Sequence, residues 1–506
     1  MNFANFTRSR RGIPRLALAG AFALSIGCDT NKLVEVEDPS ALRPDQVNNA
    51  ASVPGLVNGA FRQFIGGYSG FGDDSFLSAS AVISDEMYYG DTFTTREAAD
   101  KRTVFTPVLG NISDNAFARL QQARLNARRA FAVVDQFSTP TTKATDIGNQ
   151  AFLRSIEGYV YVTLSEGWCP AVPFSVIPDT GPIDPGAIEE GISLNTVQMN
   201  DTAVLRFNES LALSAGNRLA AMGKARALLN NARYAEAAAA VATVPTEYVF
   251  LLEHSINSPA ENNPISALQQ NGRYGVANLE GGLNASGARL RPDTSSHPVT
   301  APSAEGIAFR GLRDPRVPWE ARPSGNGRCF SSAIFCWWND NYFTLEADVP
   351  LTSGVEARLI EAEAALQAGN TALMLTRLND LRRSSTSLLQ RLYAGQKQVF
   401  FAPGGGAFVF ADLADPGIGL ATPGEQFDAR RRLLFQERAL WLYNTGHRQG
   451  DLRRLVRNYR LPQSAVWATG PHFRGGNYGT DVSYPVPFTE QNNKRFDPTT
   501  CVTSQS

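Results

Sequence analysis

Two long stretches of helical periodicity, set side by side in the chain, most constrain this fold. Over 114–137 the apolar positions are Phe117, Leu120, Leu125, Phe131 and Val134; over 147–166 they are Phe152, Ile156, Tyr159, Val160, Val162 and Leu164. Such spacing lines one face of an α-helix, and that face must be buried against a partner. Pro170 and Pro173 stop the second stretch. Shorter helices are expected over 205–215, 218–230 and 234–242, with Asn230-Asn231 as the turn between the last two. Helices over 355–368 and 371–384 repeat the form across the break at Gly369-Asn370, and Ala362, Ala364, Ala365 and Ala368 allow close approach. Another helix is expected over 49–64. Paired helices of this kind stack like tetratricopeptide units, which have a period of ~34 residues. No strict repeat consensus is present, and an ordinary helical bundle fits the same periodicity. The expected fold class is mainly α, a scaffold of tetratricopeptide-like helix hairpins with long irregular aromatic-rich loops and little sheet.

The loops are the second feature. The stretch 66–107 carries Tyr68, Phe71, Phe76, Tyr88, Tyr89 and Phe93. The stretch 254–343 is poor in helix signals and rich in Pro, Gly, Asn and Ser, yet holds Tyr274, Trp319, Phe330, Phe335, Trp337, Trp338, Tyr342 and Phe343. Disordered segments are poor in aromatics, so this long loop is expected to be ordered and irregular. A further loop is expected over 408–424, and Gly404-Gly405-Gly406 reads as a hairpin tip.

The amino terminus reads as an export signal. Arg8, Arg10, Arg11 and Arg15 precede an apolar run over 16–27, which ends in Ser25-Ile26-Gly27-Cys28. A basic region, a short apolar region and small residues before a cut describe a signal peptide. A cysteine directly after the cut resembles the bacterial lipoprotein pattern, in which Cys28 carries the acyl chains. Several chains anchor stably, because each buried CH₂ contributes roughly 0.8 kcal/mol. The run is shorter than the ~20 apolar residues a membrane span requires. Residues 28–48, with Pro39 and Pro44, read as a tether, and 49–506 as one domain. Within it the scaffold is expected over about 110–250 and 350–460, and the loop-rich ligand region over about 66–107 and 254–345.

Charge argues against one partner class. The chain has 47 basic and 48 acidic residues; without the leader's four arginines, 43 basic residues face 48 acidic ones. A nucleic-acid binder usually shows a strong basic bias. Outside the cytoplasm cysteines can pair. Cys329 and Cys336 are close enough for a local staple, and Cys169 with Cys501 is the second candidate pairing. Their spacing and the lack of a nearby histidine do not suit zinc, so no metal or cofactor is expected.

The last strong helix is expected over 427–443. Phe427, Leu434 and Trp441 recur every seven residues, as do Leu433 and Leu440, and Glu437 falls on that stripe. A buried carboxylate needs a partner; Arg448, Arg453 and Arg454 are the candidates, in a structural ion pair with no catalytic role. An enzyme of the most relevant class, a lipid-anchored glycoside hydrolase, needs two carboxylates across a cleft. No acid stands in such a context, and no G-x-S-x-G, H-E-x-x-H or Walker pattern occurs. His254, His297, His447 and His472 are scattered; His447, after a glycine past a helix end, suits a C-cap.

Several motifs carry a family resemblance. Glu437-Arg438, Gly446-His447-Arg448, Asp451-Leu452-Arg453-Arg454, Tyr484-Pro485-Val486-Pro487, Glu490 and Asn492-Asn493 occur in order. Upstream stand Leu359-Ile360-Glu361-Ala362-Glu363-Ala364, Leu378-Asn379-Asp380-Leu381-Arg382, Lys224-Ala225-Arg226-Ala227-Leu228-Leu229, and Leu153-Arg154 through Pro173. Together they resemble the signature of SusD/RagB-family outer-membrane lipoproteins across nearly the whole mature chain. Trp441 and Thr445 stand where that family often has glutamates, and Gln449-Gly450 replaces a usual aromatic pair. The resemblance implies a tetratricopeptide-like scaffold and a non-catalytic receptor on the cell surface. Its partner would be a SusC-like TonB-dependent transporter, and its ligand an oligosaccharide or, in some members, a peptide.

Sugar recognition without chemistry favours aromatic faces flanked by polar side chains. The expected ligand residues are Trp337, Trp338 and Tyr342 with Asn339 and Asp340, then Tyr88, Tyr89 and Asp91, then Trp319; each also suits packing of its loop. Trp337 and Trp338 are adjacent, so in an extended segment they point opposite ways. Gly70, Gly72, Asp73 and Asp74 suit a turn or a transporter contact. Glu437, Arg448, Asp451 and Arg453 are expected to be structural. Two alternatives to the receptor are the glycoside hydrolase and a helical-repeat scaffold that only holds another protein.

Overall fold

The computed structural model describes residues 48–70, 74–104, 112–179, 187–277, 305–332, 334–394 and 410–506. The leader, Cys28 and the tether through Val47 lie outside the described residues, as do Phe71, Gly72, Asp73, His297 and Gly404-Gly405-Gly406.

Local signals start most helices. Asn49 and Ser52 form a capping box just ahead of α1 (Val53–Ser69). The stretch expected to be loop holds α2 (Phe76–Ile83), β1 (Met87–Tyr89) and α3 (Thr94–Asp100). Every residue of α2 is buried, so it shows no polar face and no amphipathic period. The long pair is α4 (Asp114–Phe137) and α5 (Lys143–Gly167). The seam of α4 is built largely of small residues, Ala116, Ala123, Ala127 and Ala130, around Phe117, Leu120 and Val134; Leu125 and Phe131 are only half-buried. Beyond Gln150, α5 is buried on most of its circumference.

After β2 (Val172–Pro173) and β3 (Ser193–Leu194), α6 (Thr196–Leu213) begins nine residues before the expected helix. The start is set by the Asn195-x-x-Gln198 capping box, two orphan donors satisfied reciprocally. Then come α7 (Arg218–Asn230) and α8 (Tyr234–Val241). Phe207 of α6 fills the gap between α5 and α7. A Cβ at Gly158 or Gly223 would sit 2.6 or 2.2 Å from its ring, so only glycine fits at either place.

The chain continues through β4 (Val249–Leu252), α9 (Pro264–Gln270), β5 (Tyr274–Val276), β6 (Trp319–Ala321), β7 (Trp337–Asn339) and β8 (Val349–Ser353). The helices α10 (Gly354–Gln367), α11 (Thr371–Arg383), α12 (Ser385–Leu392), α13 (Pro423–Trp441), α14 (Arg448–Arg457) and α15 (Gln463–Val466) complete it. Gly369 (φ +71°) and the Asn370 cap separate α10 from α11. Thr422, Pro423 and Glu425 start α13 with a capping box and a proline in the first turn. The described strands pair only in twos and antiparallel: β1 with β5, β2 with β3, β4 with β8, β6 with β7. The protein is therefore mainly helical, with helices packed in pairs and small two-stranded sheets. One large core runs through α1, α2, α4 to α8 and α10 to α12. No helix among the described residues is long and apolar enough to cross a membrane.

Beside this apolar core lies a buried ionic one. Arg226 of α7 grips Glu166 of α5 at 2.8 and 2.5 Å, and Asn230 donates to the same carboxylate at 2.8 Å. Arg226 also meets His447 Nε2 at 3.0 Å, which lies 3.1 Å from Glu356 of α10. His447 thus precedes α14 inside this network and caps no helix C-terminus. Arg438 of α13 pairs twice with Asp451 of α14 at 2.9 Å, and Arg454 joins Asp451 to Glu363. Arg453 donates to the carbonyls of Ser165, Glu166 and Trp168 at 2.8–3.0 Å, capping the end of α5. Arg448, also buried, donates to the Glu305 carbonyl at 3.4 Å.

Glu437 is paired, but its partners differ from those expected. They are Arg316, at 2.6 and 3.1 Å, and Arg382, at 2.7 Å. Successive helical residues are turned by about 100°, so Arg438 faces α14 while Glu437 faces away from it. Burial opposes the charge of Asp451, yet Arg438 and Arg454 hold its carboxyl well below the usual range. Burial likewise opposes the charge of Glu356, and His447 brings it down to about 2.

The cysteines are joined as Cys169–Cys501, across a separation of 332 residues, and Cys329–Cys336, across 7. On the loop-entropy account, opening the long-range bridge costs about 6 kcal/mol and the local one about 2–3 kcal/mol. The Cys169→Ser/Cys501→Ser pair should therefore lower the melting temperature more than Cys329→Ser/Cys336→Ser, as checked by calorimetry under oxidising conditions.

Acid sensitivity follows from three lowered groups. His254 is buried, which pulls its imidazole down to about 4; its ring meets Ser69 Oγ at 3.1 Å and the Glu261 carbonyl at 3.0 Å. The unfolded chain protonates this histidine near 6.5, and Glu356 and Asp451 near ordinary carboxylate values, before the folded chain does. Stability is thus complete at neutral pH and lost as pH falls, first between about 6.5 and 4 through His254, then lower through the carboxylates. His254 accounts for about 3 kcal/mol at most. In denaturant titrations, His254→Asn should flatten the upper part of that decline and leave the lower part.

Candidate functional site

The exposed end of the long loop is organised by β6 and β7. Trp319 pairs with Asn339, Glu320 with Trp338 and Ala321 with Trp337. Side chains alternate along a strand, so Trp319 and Trp337 share one face and Trp338 lies on the other. Trp319 and Trp337 are half-buried and meet edge to face, 5.2 Å between centroids at 82°. Trp338 is buried against Phe343, centroids 5.8 Å apart. The far end of the hairpin is closed by the Cys329–Cys336 bridge and by the Arg328–Phe335 backbone pair.

Guanidinium groups lie over these rings. Arg310 is 5.0 Å from the centre of Trp337 and 5.9 Å from that of Trp319; Arg313 is 5.3 Å from Trp319. Phe335 stacks on Trp337 at 6.4 Å, and Arg328 covers Phe335 at 3.7 Å. A cation over an aromatic face is attracted by the ring quadrupole. Beside the row is a cavity of about 400 Å³, lined by Arg313, Asp314, Pro315, Val317, Pro318, Trp319, Glu320 and Asp340. Pockets of this size take small ligands. Asp314 is already held by Arg316 at 2.8 and 2.9 Å.

Of the residues expected to meet ligand, Trp319 and Trp337 come together at this surface, and Asp340 lines the cavity from a buried position. The others are interior. Tyr342 donates to the Asn444 carbonyl at 3.0 Å, and Asn339 accepts from the Asn341 N–H at 3.0 Å. Tyr88 donates to the Phe335 carbonyl at 2.5 Å. The Tyr89 hydroxyl accepts from the Phe93 N–H at 2.8 Å, and Asp91 pairs with Arg273 at 3.2 Å. An irregular loop has few ladder bonds, so its buried groups are satisfied one by one, and these side chains do that. The sequence reading missed Arg310, Arg313, Arg328 and Phe335. The three arginines stand six to nine residues from the nearest of these tryptophans in the chain, so only the fold brings them over the rings.

No group of three or more His, Cys, Asp or Glu that could hold a metal ion occurs among the described residues. A second cavity, of about 370 Å³, lies against α4 and α5 and is lined by Arg128, Arg154, Glu157 and Asp179 among others; its charges pair internally, Arg128 with Asp179 at 2.9 Å and Arg154 with Glu157 at 3.0 Å.

The architecture matches solved structures of SusD/RagB superfamily proteins across most of the chain. A SusD superfamily protein from Bacteroides fragilis aligns with a TM-score of 0.57 at 12% identity, over 89% of this chain and 99% of that one. Surface glycan-binding protein A from Bacteroides uniformis gives 0.56 at 10%, over 90% and 99%. A SusD-like carbohydrate binding protein from Bacteroides vulgatus gives 0.51 at 14%, over 80% and 83%. No family model and no curated protein matches the sequence.

Proposed function

We propose that this chain, built on the fold of SusD/RagB superfamily proteins, is a non-catalytic glycan receptor of the outer membrane. It is tethered by lipid on Cys28, faces the cell exterior, and hands oligosaccharides to a SusC-like TonB-dependent transporter. The observation that carries the reading is the fold shared with a surface glycan-binding protein over 90% of this chain and 99% of the other. The site agrees with it: two half-buried tryptophans beside a cavity of about 400 Å³. Sugar rings present C–H faces to aromatic side chains, and their hydroxyls take hydrogen bonds from neighbouring polar groups. Trp319 and Trp337 are the proposed contacts. Tyr88, Tyr89, Asp91, Trp338, Asn339 and Tyr342 act at one remove, by holding the loops that present them.

Two measurements test this. A C-terminally tagged chain, purified from detergent-solubilised membranes, should bring down a barrel-sized partner in stoichiometric amount. Calorimetric titration with an oligosaccharide panel should give saturable binding, which Trp319→Ala weakens by at least about tenfold, or ~1.4 kcal/mol. The melting temperature of that variant should stay within a few degrees of the parent. Absence of both partner and binding, with release of reducing sugar from the panel, would instead favour the glycoside hydrolase.

A further inference from the structure

We infer that the glycan taken by this surface is anionic, a uronate-bearing oligosaccharide whose carboxylates meet Arg313 and Arg328. The inference rests on the receptor reading and adds the ligand's charge. Arg313, Trp319, Trp337, Phe335 and Arg328 form an unbroken row, each group 3.7–6.4 Å from the next. The row begins and ends in a guanidinium.

Three observations carry it. First, neither Arg313 nor Arg328 has an ion-pair partner among the described residues, whereas Arg226, Arg316, Arg438 and Arg454 of the interior are each matched to a carboxylate. Second, the rings at the two ends of the row are not bare. Arg313 lies over Trp319 and Arg328 over Phe335, so a neutral sugar has to displace a guanidinium in order to stack. A sugar carboxylate instead pairs with the guanidinium while the sugar ring rests beside the aromatic edge. Guanidinium suits this role, because its planar fork matches carboxylate in two parallel hydrogen bonds.

Third, the arginines are held in place. Arg313 is exposed yet adopts a left-handed backbone (φ 49°), a conformation that non-glycine residues rarely take. Beneath Arg328, Arg322 donates to the Arg328 carbonyl and to the Gln270 carbonyl, both at 2.8 Å, and the Cys329–Cys336 bridge closes the adjacent hairpin. Asp314 does not neutralise the site, because its carboxylate is held by Arg316. Glu320, on the opposite face of β6 from the aromatic row, and the buried Asp340 also line the cavity, so the ligand's carboxylates are assigned to the guanidiniums at the two ends of the row and not to the cavity floor.

The test uses the full mature chain and a panel of galacturonate, glucuronate and mannuronate oligosaccharides, each paired with its carboxyl-reduced neutral form. The acidic forms should bind at least about tenfold tighter, and the advantage should shrink as salt rises from about 50 mM to about 500 mM, where screening is short-ranged. Arg313→Ala and Arg328→Ala should each remove much of the preference, with unchanged circular dichroism and melting temperature. Arg313→Lys should restore part of it. Equal or tighter binding of the reduced forms would overturn the anionic inference and leave the glycan receptor standing. Binding of neither form of any pair would overturn both at this surface.

Discussion

The structure depends on guanidinium–carboxylate pairs sealed inside it. Arg226–Glu166 joins α7 to α5, Arg438–Asp451 joins α13 to α14, and Arg454–Glu363 joins α14 to α10. An unpaired buried charge is very costly, and removing one partner of a buried pair typically destabilises by about 3–5 kcal/mol. Apolar contact between helices tolerates sliding and rotation. A bidentate ion pair does not, because its energy is lost within an ångström of misplacement. The pairs therefore specify which helix lies against which and in what register. Arg453 adds to this by donating from one nitrogen to the carbonyls of Ser165, Glu166 and Trp168 at the end of α5, where the Tyr484 N–H and the Gln449 side chain donate to the Gly167 carbonyl.

The same currency links the scaffold to the surface row. Arg316 binds Glu437 of α13 with one edge and Asp314, in the cavity wall, with another. Tyr342 reaches the Asn444 carbonyl, Tyr443 reaches that of Glu86, and Tyr88 reaches that of Phe335. Each bond runs between a loop and the segment after α13, or between two loops. Among its described residues the irregular region has only two-stranded sheets and short helices, yet its backbone is held at many points. A binding surface fixed beforehand avoids much of the ordering cost of capture. The row of Arg313, Trp319, Trp337, Phe335 and Arg328 sits on such a base.

Much of the scaffold was legible in the sequence. The helices α7, α8, α10 and α11 appear within a residue or two of where apolar spacing and Asn or Gly breaks put them. Where the reading failed, the reason is physical. The helix α2 is buried on every side and shows no period, and α6 begins at a capping box rather than at its first apolar residue. The seam of α4 is a stripe of alanines, which carries little hydropathy signal although it permits the closest approach. At the surface, an aromatic-rich irregular loop was legible, and 254–277, 305–332 and 334–343 of it are among the described residues, but its division into buried and exposed rings was not.

By itself the sequence determined the helical class, the hairpin rhythm, the loop that interrupts it and the need of Glu437 for a partner, because periodicity, turn chemistry and buried charge are local properties of the chain. Tertiary structure alone decided that Glu437 belongs to Arg316 and Arg382, and that Trp319 and Trp337 emerge while Tyr88, Tyr89 and Tyr342 are enclosed. It alone set Arg313 and Arg328 at the two ends of the aromatic row. Burial and pairing are relations between residues far apart in the chain, so no window of sequence contains them.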